Sequence, residues 1–588
     1  MLSNQIAPSP ESSGLSMSPN SPYYPGKGIT PITNANLVTN QPISVGWRTT
    51  VLGPRQTDQE NTTQRAVVSL DGNAVGWDYT ANALWSSATI TNTFTNGWPR
   101  TQALRNGMSG AAGAPWLNPF GDQTAAGLAY MQANQVLGEM QDTTSTLWSL
   151  NGVASTQFSR LPGGPMSFAL GAEYRAEDNK FVTNVNQVSQ AASSGLAGAG
   201  ALREGDRNIW AAMVEMNFPI LKNLDLGFAV RYDDYSDFGN TTNPKVSLRW
   251  QPVEQLLLRG SYNTGFAAPS LEQLYAPNAT TFTANRYSDP VLCPGGAVNT
   301  SAGGIQSRDC GIQFQRLTGG NEKLQAESSD AWTVGFVLQP TREISVSLDY
   351  WNYKITDSIG SLTETAIFGD PAKYANLFAR CSDPTIPAAR KNTIPGCNIP
   401  GGDPLAYITN TYLNLGDIKT SGLDGAFTWN GGATEWGSFS FTLRGTYVTK
   451  YEFQVEPNGV WYNPVGNYNS QFGGPVIRYR QFANLGWQMG AWTANLFNSF
   501  SAGYFDQNNP ASVSAPYRQN SVGNTSVWTL SGSYSGIKGL TLQAGVINLF
   551  TSDPPFSNQT GNFGARGYDD RFASPLGRTW QLAARYSF

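Results

Sequence analysis

The sequence predicts an all-β fold: a transmembrane antiparallel β-barrel of about 17–18 strands, with short turns on one rim and long loops on the other. Three observations predict it. The first is alternation of apolar and polar residues. Over 224–232, Leu224, Leu226, Phe228, Val230 and Tyr232 share one face, while Asp225, Gly227, Ala229 and Arg231 share the other. The second is that such segments end in rings: Tyr232, Trp250, Tyr262, Tyr350, Tyr447, Trp487, Trp492, Trp528 and Trp580. Rings at strand ends suit the headgroup depth of a bilayer, where an apolar body and a polar tip are both satisfied. The third is the connections, which alternate between short and long from about residue 207 onward. A soluble sandwich also alternates its faces, but Arg, Lys and Asp in mid-strand would need partners in its core. A water-filled lumen accommodates them. Mean hydropathy is negative, as expected when lipid-facing and lumen-facing residues cancel.

In chain order, residues 1–42 read as Ser/Pro/Asn-rich coil belonging to an outer loop, and the barrel as 43–588. Segment 43–52 is ambiguous as a strand. Strand cores follow at 62–71, 74–86, 144–158, 166–176, 207–218, 224–234, 244–251, 255–265 and 329–339. They continue at 343–356, 408–429, 438–452, 477–488, 491–502, 525–535, 539–549 and 576–588. In 244–251, Val246, Leu248 and Trp250 oppose Lys245, Ser247 and Arg249. In 255–265, Leu256, Leu258 and Tyr262 oppose Arg259 and Ser261. Ile344, Val346, Leu348 and Tyr350 repeat the pattern, as do Phe439, Phe441, Leu443 and Tyr447, and then Leu540, Leu542, Ala544 and Val546. Large outer loops are expected near 87–143, 177–206, 267–328, 360–407, 454–476, 504–524 and 552–574, with a short helix within 127–140.

Composition narrows the function. Charged residues are 13% and the net charge is −4, with no basic cluster. Nucleic acid is therefore not an expected partner, since phosphate binding needs concentrated Lys and Arg. The chain has no His. That excludes a Ser-His-Asp hydrolase and removes the commonest metal ligand and general base. Asp233 and Asp234 are adjacent, so on a strand they point to opposite faces and do not share a site. No catalytic group, metal site or cofactor is expected, and the chain does not read as an enzyme.

Cys293, Cys310, Cys381 and Cys397 form two couples, 17 and 16 residues apart, each in a Gly/Pro/Asn-rich stretch. Two loop disulfides in an oxidising compartment are the simplest reading, and four free thiols the alternative. The first residues show no basic start, apolar core or cleavage site. Either the protein is not exported or its natural start lies upstream.

Four segments carry a family resemblance. The chain ends in "TWQLAARYSF", with Trp580, Leu582, Tyr586 and Phe588 on one face. This resembles the assembly signal of outer-membrane barrels, physically a strand with an edge that a partner can template. "NTGFAAPSLEQLY" places Gly265, Phe266, Pro269, Ser270 and Tyr275 as in the strand-to-loop corner of TonB-dependent receptors, although Ala267 stands where that family usually has a basic residue. "GVINLFTSDPPFS" and "LNLGDIKTSGLDGAFTW" are similar to two of its late strands.

The resemblance implies a receptor in the outer membrane of a Gram-negative bacterium. Such a receptor captures a scarce, bulky nutrient (siderophore-, cobalamin- or oligosaccharide-like) and imports it with TonB-coupled energy. Its partners are outer-membrane lipid and lipopolysaccharide, the barrel assembly machinery, the TonB complex and the small-molecule nutrient. The family also has a signal peptide, a TonB-binding segment, a plug domain and a 22-strand barrel. Neither these N-terminal parts nor the first barrel strands are read here, so a plug-less C-terminal portion is expected. Candidate ligand contacts are Tyr275, Tyr287, Trp461 and Tyr462 in the loops and Arg231, Arg249 and Arg259 in the lumen. The rings equally suit packing within the loops, and the arginines pairing with lumen carboxylates. A passive porin-like channel is the competing reading.

Overall fold

A computed structural model of the chain describes residues 2–7, 11–32, 40–192, 195, 200–391, 394–506, 521–558 and 567–587. Strands dominate it. In chain order they are β1 (Leu2–Ala7), β2 (Glu11–Met17), β3 (Ile43–Arg48), β4 (Arg55–Ala74), β5 (Trp77–Asn96), β6 (Gly138–Leu161), β7 (Gly164–Thr183), β8 (Leu202–Leu221), β9 (Leu224–Tyr235) and β10 (Gly239–Val253). Next come β11 (Leu256–Ala267), β12 (Ala279–Phe282), β13 (Gln315–Thr318), β14 (Glu327–Leu338), β15 (Ile344–Thr356), β16 (Ile359–Gly360), β17 (Phe378–Arg380), β18 (Leu405–Thr409), β19 (Leu413–Asn414) and β20 (Ile418–Asn430). The last are β21 (Ser438–Gln454), β22 (Trp461–Tyr462), β23 (Tyr479–Met489), β24 (Trp492–Ser501), β25 (Tyr504–Phe505), β26 (Ser521–Val522), β27 (Thr525–Ile537), β28 (Leu540–Ile547) and β29 (Thr579–Tyr586).

One antiparallel barrel wall has a strand at each of the seventeen expected cores. Its ladders run β4–β5–β6–β7–β8–β9–β10–β11–β14–β15–β20–β21–β23–β24–β27–β28–β29. Among the described residues, no register joins β29 back to β4. The outward face is apolar yet exposed: Val230 at 45%, Leu248 at 44%, Val334 at 55%. Side chains of this kind left open in a regular stripe fit contact with acyl chains. No described helix is long and apolar enough to cross a membrane, which says nothing of crossing by strands.

The structure corrects several boundaries. Segment 1–42, expected as coil, contains β1 and β2. The ladder of β1 covers the Arg55–Glu60 end of β4, and β2 pairs with β3 in a separate two-stranded sheet. Segment 43–52 is thus not a wall strand. The wall strands β4 to β8 are longer than their apolar cores, and the loops near 87–143 and 177–206 shrink to 97–137 and 184–201. Their upper parts, such as "SSATITNTFTN", are Thr- and Ser-rich on both faces. β-branched Thr favours strand, but with polar residues on both faces such a stretch shows no apolar alternation. Segment 408–429 is broken: β18 belongs to the loops, and the wall strand starts only at Ile418. Gly416 lies in the break, where a Cβ would stand 2.4 Å from the Glu456 carbonyl. The short helix expected within 127–140 spans Ala125–Ala133, capped by Thr124.

Candidate functional site

The corner after β11 is held by a buried arginine. Pro269 has no N–H to donate to a ladder, and the helix Leu271–Tyr275 begins at once with a capping box. In it the Gln273 N–H donates to Ser270 Oγ at 3.0 Å, and the Ser270 N–H to Gln273 Oε1 at 2.8 Å. Arg207, its side chain 9% exposed, donates to the Pro269 carbonyl at 2.7 Å. It also pairs with Glu177 at 2.7 Å and Asp237 at 3.5 Å, and lies over the Tyr235 ring. Phe266 packs edge-on against that same ring at 5.6 Å. Tyr275 lies over Gly205, where a Cβ would sit 2.0 Å from its ring. Gly265 comes close to Ser329, 3.0 Å from its Oγ if a Cβ were added. In this arrangement Tyr275 locks the loop base to the wall.

Above the corner, loops 268–326 and 357–417 form one module. They share a four-stranded sheet, β12–β13–β18–β17, whose β13–β18 pairing is parallel and so needs both loops. Disulfides join Cys293 to Cys310 and Cys381 to Cys397. Asp289, fully buried, accepts from the N–H groups of Val291, Leu292 and Leu405 and from Arg380 at 2.6 Å, tying the loops together. Arg308 pairs with buried Asp309 and donates across to the Ile399 and Gly401 carbonyls. Burial raises the Glu364 carboxyl above its ordinary value, while Arg316 and the Ala284 N–H counteract part of that rise.

The loop aromatics expected as ligand contacts are engaged by protein side chains, Tyr287 within this layer and Trp461 and Tyr462 against wall strands. Tyr287 stacks on Phe368 at 4.2 Å, beside the apolar cluster of Phe314, Ile367 and Ile408. Trp461 lies under Lys419 at 4.1 Å, and Tyr462 packs on Phe453. The three lumen arginines are all paired. Arg231 meets Glu173 and Asp233 at 2.9 and 2.8 Å, Arg249 meets Asp225 at 3.3 Å, and Arg259 meets Asp349 at 2.6 Å. The structure therefore does not gather the candidates into one site.

Sequence reasoning missed the group that surrounds one of its candidates, Arg259. Arg259, Thr333, Asp349, Trp351, Tyr353, Thr420 and Asp424 line a recess of about 570 Å³ on the inner wall formed by β11, β14, β15 and β20. Its signal was present in "SVSLDYWNYK". By parity Asp349, Trp351 and Tyr353 oppose Val346, Leu348 and Tyr350, so two rings stand on the water-facing side. On the final strand, Trp580, Leu582 and Tyr586 are 71%, 85% and 64% exposed. Phe588 lies outside the described residues.

Comparison with known proteins bears on the whole wall. A family model described as TonB dependent receptor-like, beta-barrel, matches residues 9–549. A search of curated proteins gives no match. Among solved structures, the siderophore receptor PirA from Acinetobacter baumannii is 13% identical, with a TM-score of 0.53, covering 91% of this chain and 68% of that one. A mutant of the ferric enterobactin receptor PfeA from Pseudomonas aeruginosa, in complex with enterobactin, is 14% identical, with a TM-score of 0.54, covering 91% and 72%. The FrpB iron transporter from Neisseria meningitidis is 13% identical, with a TM-score of 0.51, covering 91% and 64%. At such identities the likeness is one of fold.

Proposed function

The chain belongs to the TonB-dependent receptor β-barrel family, and on that premise we propose that it acts in the outer membrane of a Gram-negative bacterium as a receptor for a scarce, bulky nutrient. The stapled loop module supports capture from outside, and the ion-paired lumen supports passage of a polar cargo. Import is driven by the TonB complex, and no bond chemistry belongs to the task. The observation that carries this reading is the pairing of an exposed apolar outer face with an inner face of matched charges. It is the division of surfaces a lipid-embedded, water-filled conduit needs.

The functional receptor further includes a plug, a TonB-binding segment and additional wall strands. Support for the strands comes from the family resemblance: that family's barrel has 22 strands against the seventeen of this wall. Sequencing upstream of the first codon tests this part: an adjacent stop codon with no plug sequence would defeat it. The transport reading is tested by growth of the source bacterium on a limiting nutrient, with and without an intact TonB complex. Growth supported by this gene in both strains equally, together with steady conductance in a planar bilayer, would favour a passive channel instead.

A further inference from the structure

We infer that the inner-wall recess between β11 and β20 is a subsite for a neutral, polyhydroxylated ring, one sugar residue of an oligosaccharide. The inference rests on the receptor reading and names the cargo's chemistry. Two glycines open the wall at this point. A Cβ at Gly422 would stand 2.4 Å from the Trp351 ring, so the indole lies down over the backbone of the neighbouring strand. A Cβ at Gly335 would stand 2.1 Å from an Asp349 oxygen, so that carboxylate also lies flat. There it takes both bonds of Arg259, at 2.7 and 2.6 Å. A flattened indole on a lumen wall offers a face rather than an edge. Tyr353 stands beside it, ring centres 5.8 Å apart, 40% exposed.

Around these rings the polar groups suit hydroxyls. Asp424 accepts one bond, from Thr446 Oγ1 at 2.6 Å, and a carboxylate has room for more. Thr333 and Thr420 complete the lining. The recess holds one guanidinium, already committed, against two carboxylates, which disfavours a multiply charged anion. The nearest further inward cation, Arg249, stands directly across from Arg259 and is paired with Asp225 at 3.3 Å; neither it nor Arg444, two residues from Thr446 on β21, lines the recess. A ring face for stacking, carboxylates and hydroxyls for hydrogen bonds, and no free cation are what a sugar ring requires.

The test uses the full chain from the outer membrane, extracted in an amine-oxide detergent so that no sugar headgroup competes. Maltohexaose, cellohexaose and xylohexaose are titrated while tryptophan fluorescence is followed, with an anionic iron(III)–catecholate complex alongside. At least one hexasaccharide is expected to quench saturably. Trp351→Ala weakens it about tenfold, Asp424→Asn about fivefold, and Trp351→Phe, which keeps a ring, stays within about threefold. Heat-resistant electrophoretic mobility shows that each variant is folded. No saturable binding of any sugar, or binding untouched by both Trp351→Ala and Asp424→Asn, overturns the inference. So does tighter binding of the iron complex that depends on Trp351. Sugar binding that holds while TonB-dependent growth fails sinks the receptor reading and leaves the subsite standing; the reverse result sinks the subsite alone.

Discussion

Arg207 ties the corner together by polar contacts on three sides. Its guanidinium links two carboxylates on neighbouring segments to the Pro269 carbonyl. Removing one partner of a buried ionic cluster costs about 3 kcal/mol, so Arg207→Ala should lower the unfolding midpoint in detergent and open 268–278 to protease. An unchanged digestion pattern would contradict this. Gly205→Ala should act on the same loop through the Tyr275 ring, and release of Tyr275 would appear as greater quenching of its fluorescence by iodide. Val75 presents the opposite case. It sits in a two-residue hairpin turn with φ 56° before Gly76 at φ 79°, and is 96% exposed. A β-branched side chain is strained there and Asn is not. Val75→Asn is expected to stabilise by about 1 kcal/mol, read as a raised midpoint. Asp569 gives a pH dependence. Burial pushes its carboxyl up, but Arg571 and Tyr504, bonded to it, bring it below the ordinary value overall. A depressed folded value means stability that is full above the ordinary carboxylate range and lost as pH falls through the folded value. Hydrogen exchange in 567–573 should therefore be slow at pH 6 and accelerate only in strong acid; acceleration already near pH 5–6 would refute it.

Among the elements, the loop module behaves as a small domain without a large core. Its closed loops of 17 and 16 residues are each worth about 3 kcal/mol of chain entropy. The parallel β13–β18 pairing and the Asp289–Arg380 bond then join what the disulfides have ordered. Non-reducing peptide mapping should return the two local pairs. Reduction should expose both loops to protease while β14, β15 and β20 stay intact, because those strands are held by wall ladders. Loss of the wall strands on reduction would show that the two layers fold as one. The wall strands were legible because their period of two coincides with the lipid–water boundary. The upper halves of β4 to β8 were not, since polar residues stand on both faces there, and even the buried face is partly polar, with Asn179, Thr183 and Arg207 beside Phe181 and Ile209.

For the molecule as a whole, the wall is continuous from β4 to β29; β1 covers the Arg55–Glu60 end of β4, and among the described residues no register joins β29 to β4. In detergent, amide exchange should be faster on β29 and on β4 beyond the stretch that β1 covers than on β6 to β8, which are paired on both sides. Protection at both edges would mean that they find partners in this chain.

Strand number, facing and the two Cys couples follow from sequence alone, since each is fixed by neighbours a few residues apart. Parity even placed Arg231, Arg249 and Arg259 on the inner face correctly. It did not reveal that Glu173, Asp225 and Asp349 neutralise them, because those partners are set by cross-strand register. The same holds for Arg207 under Pro269, for Tyr287 within the loop core, and for the recess around Trp351. There, glycines on adjacent strands decide which way a side chain lies, and only the folded wall brings those strands side by side.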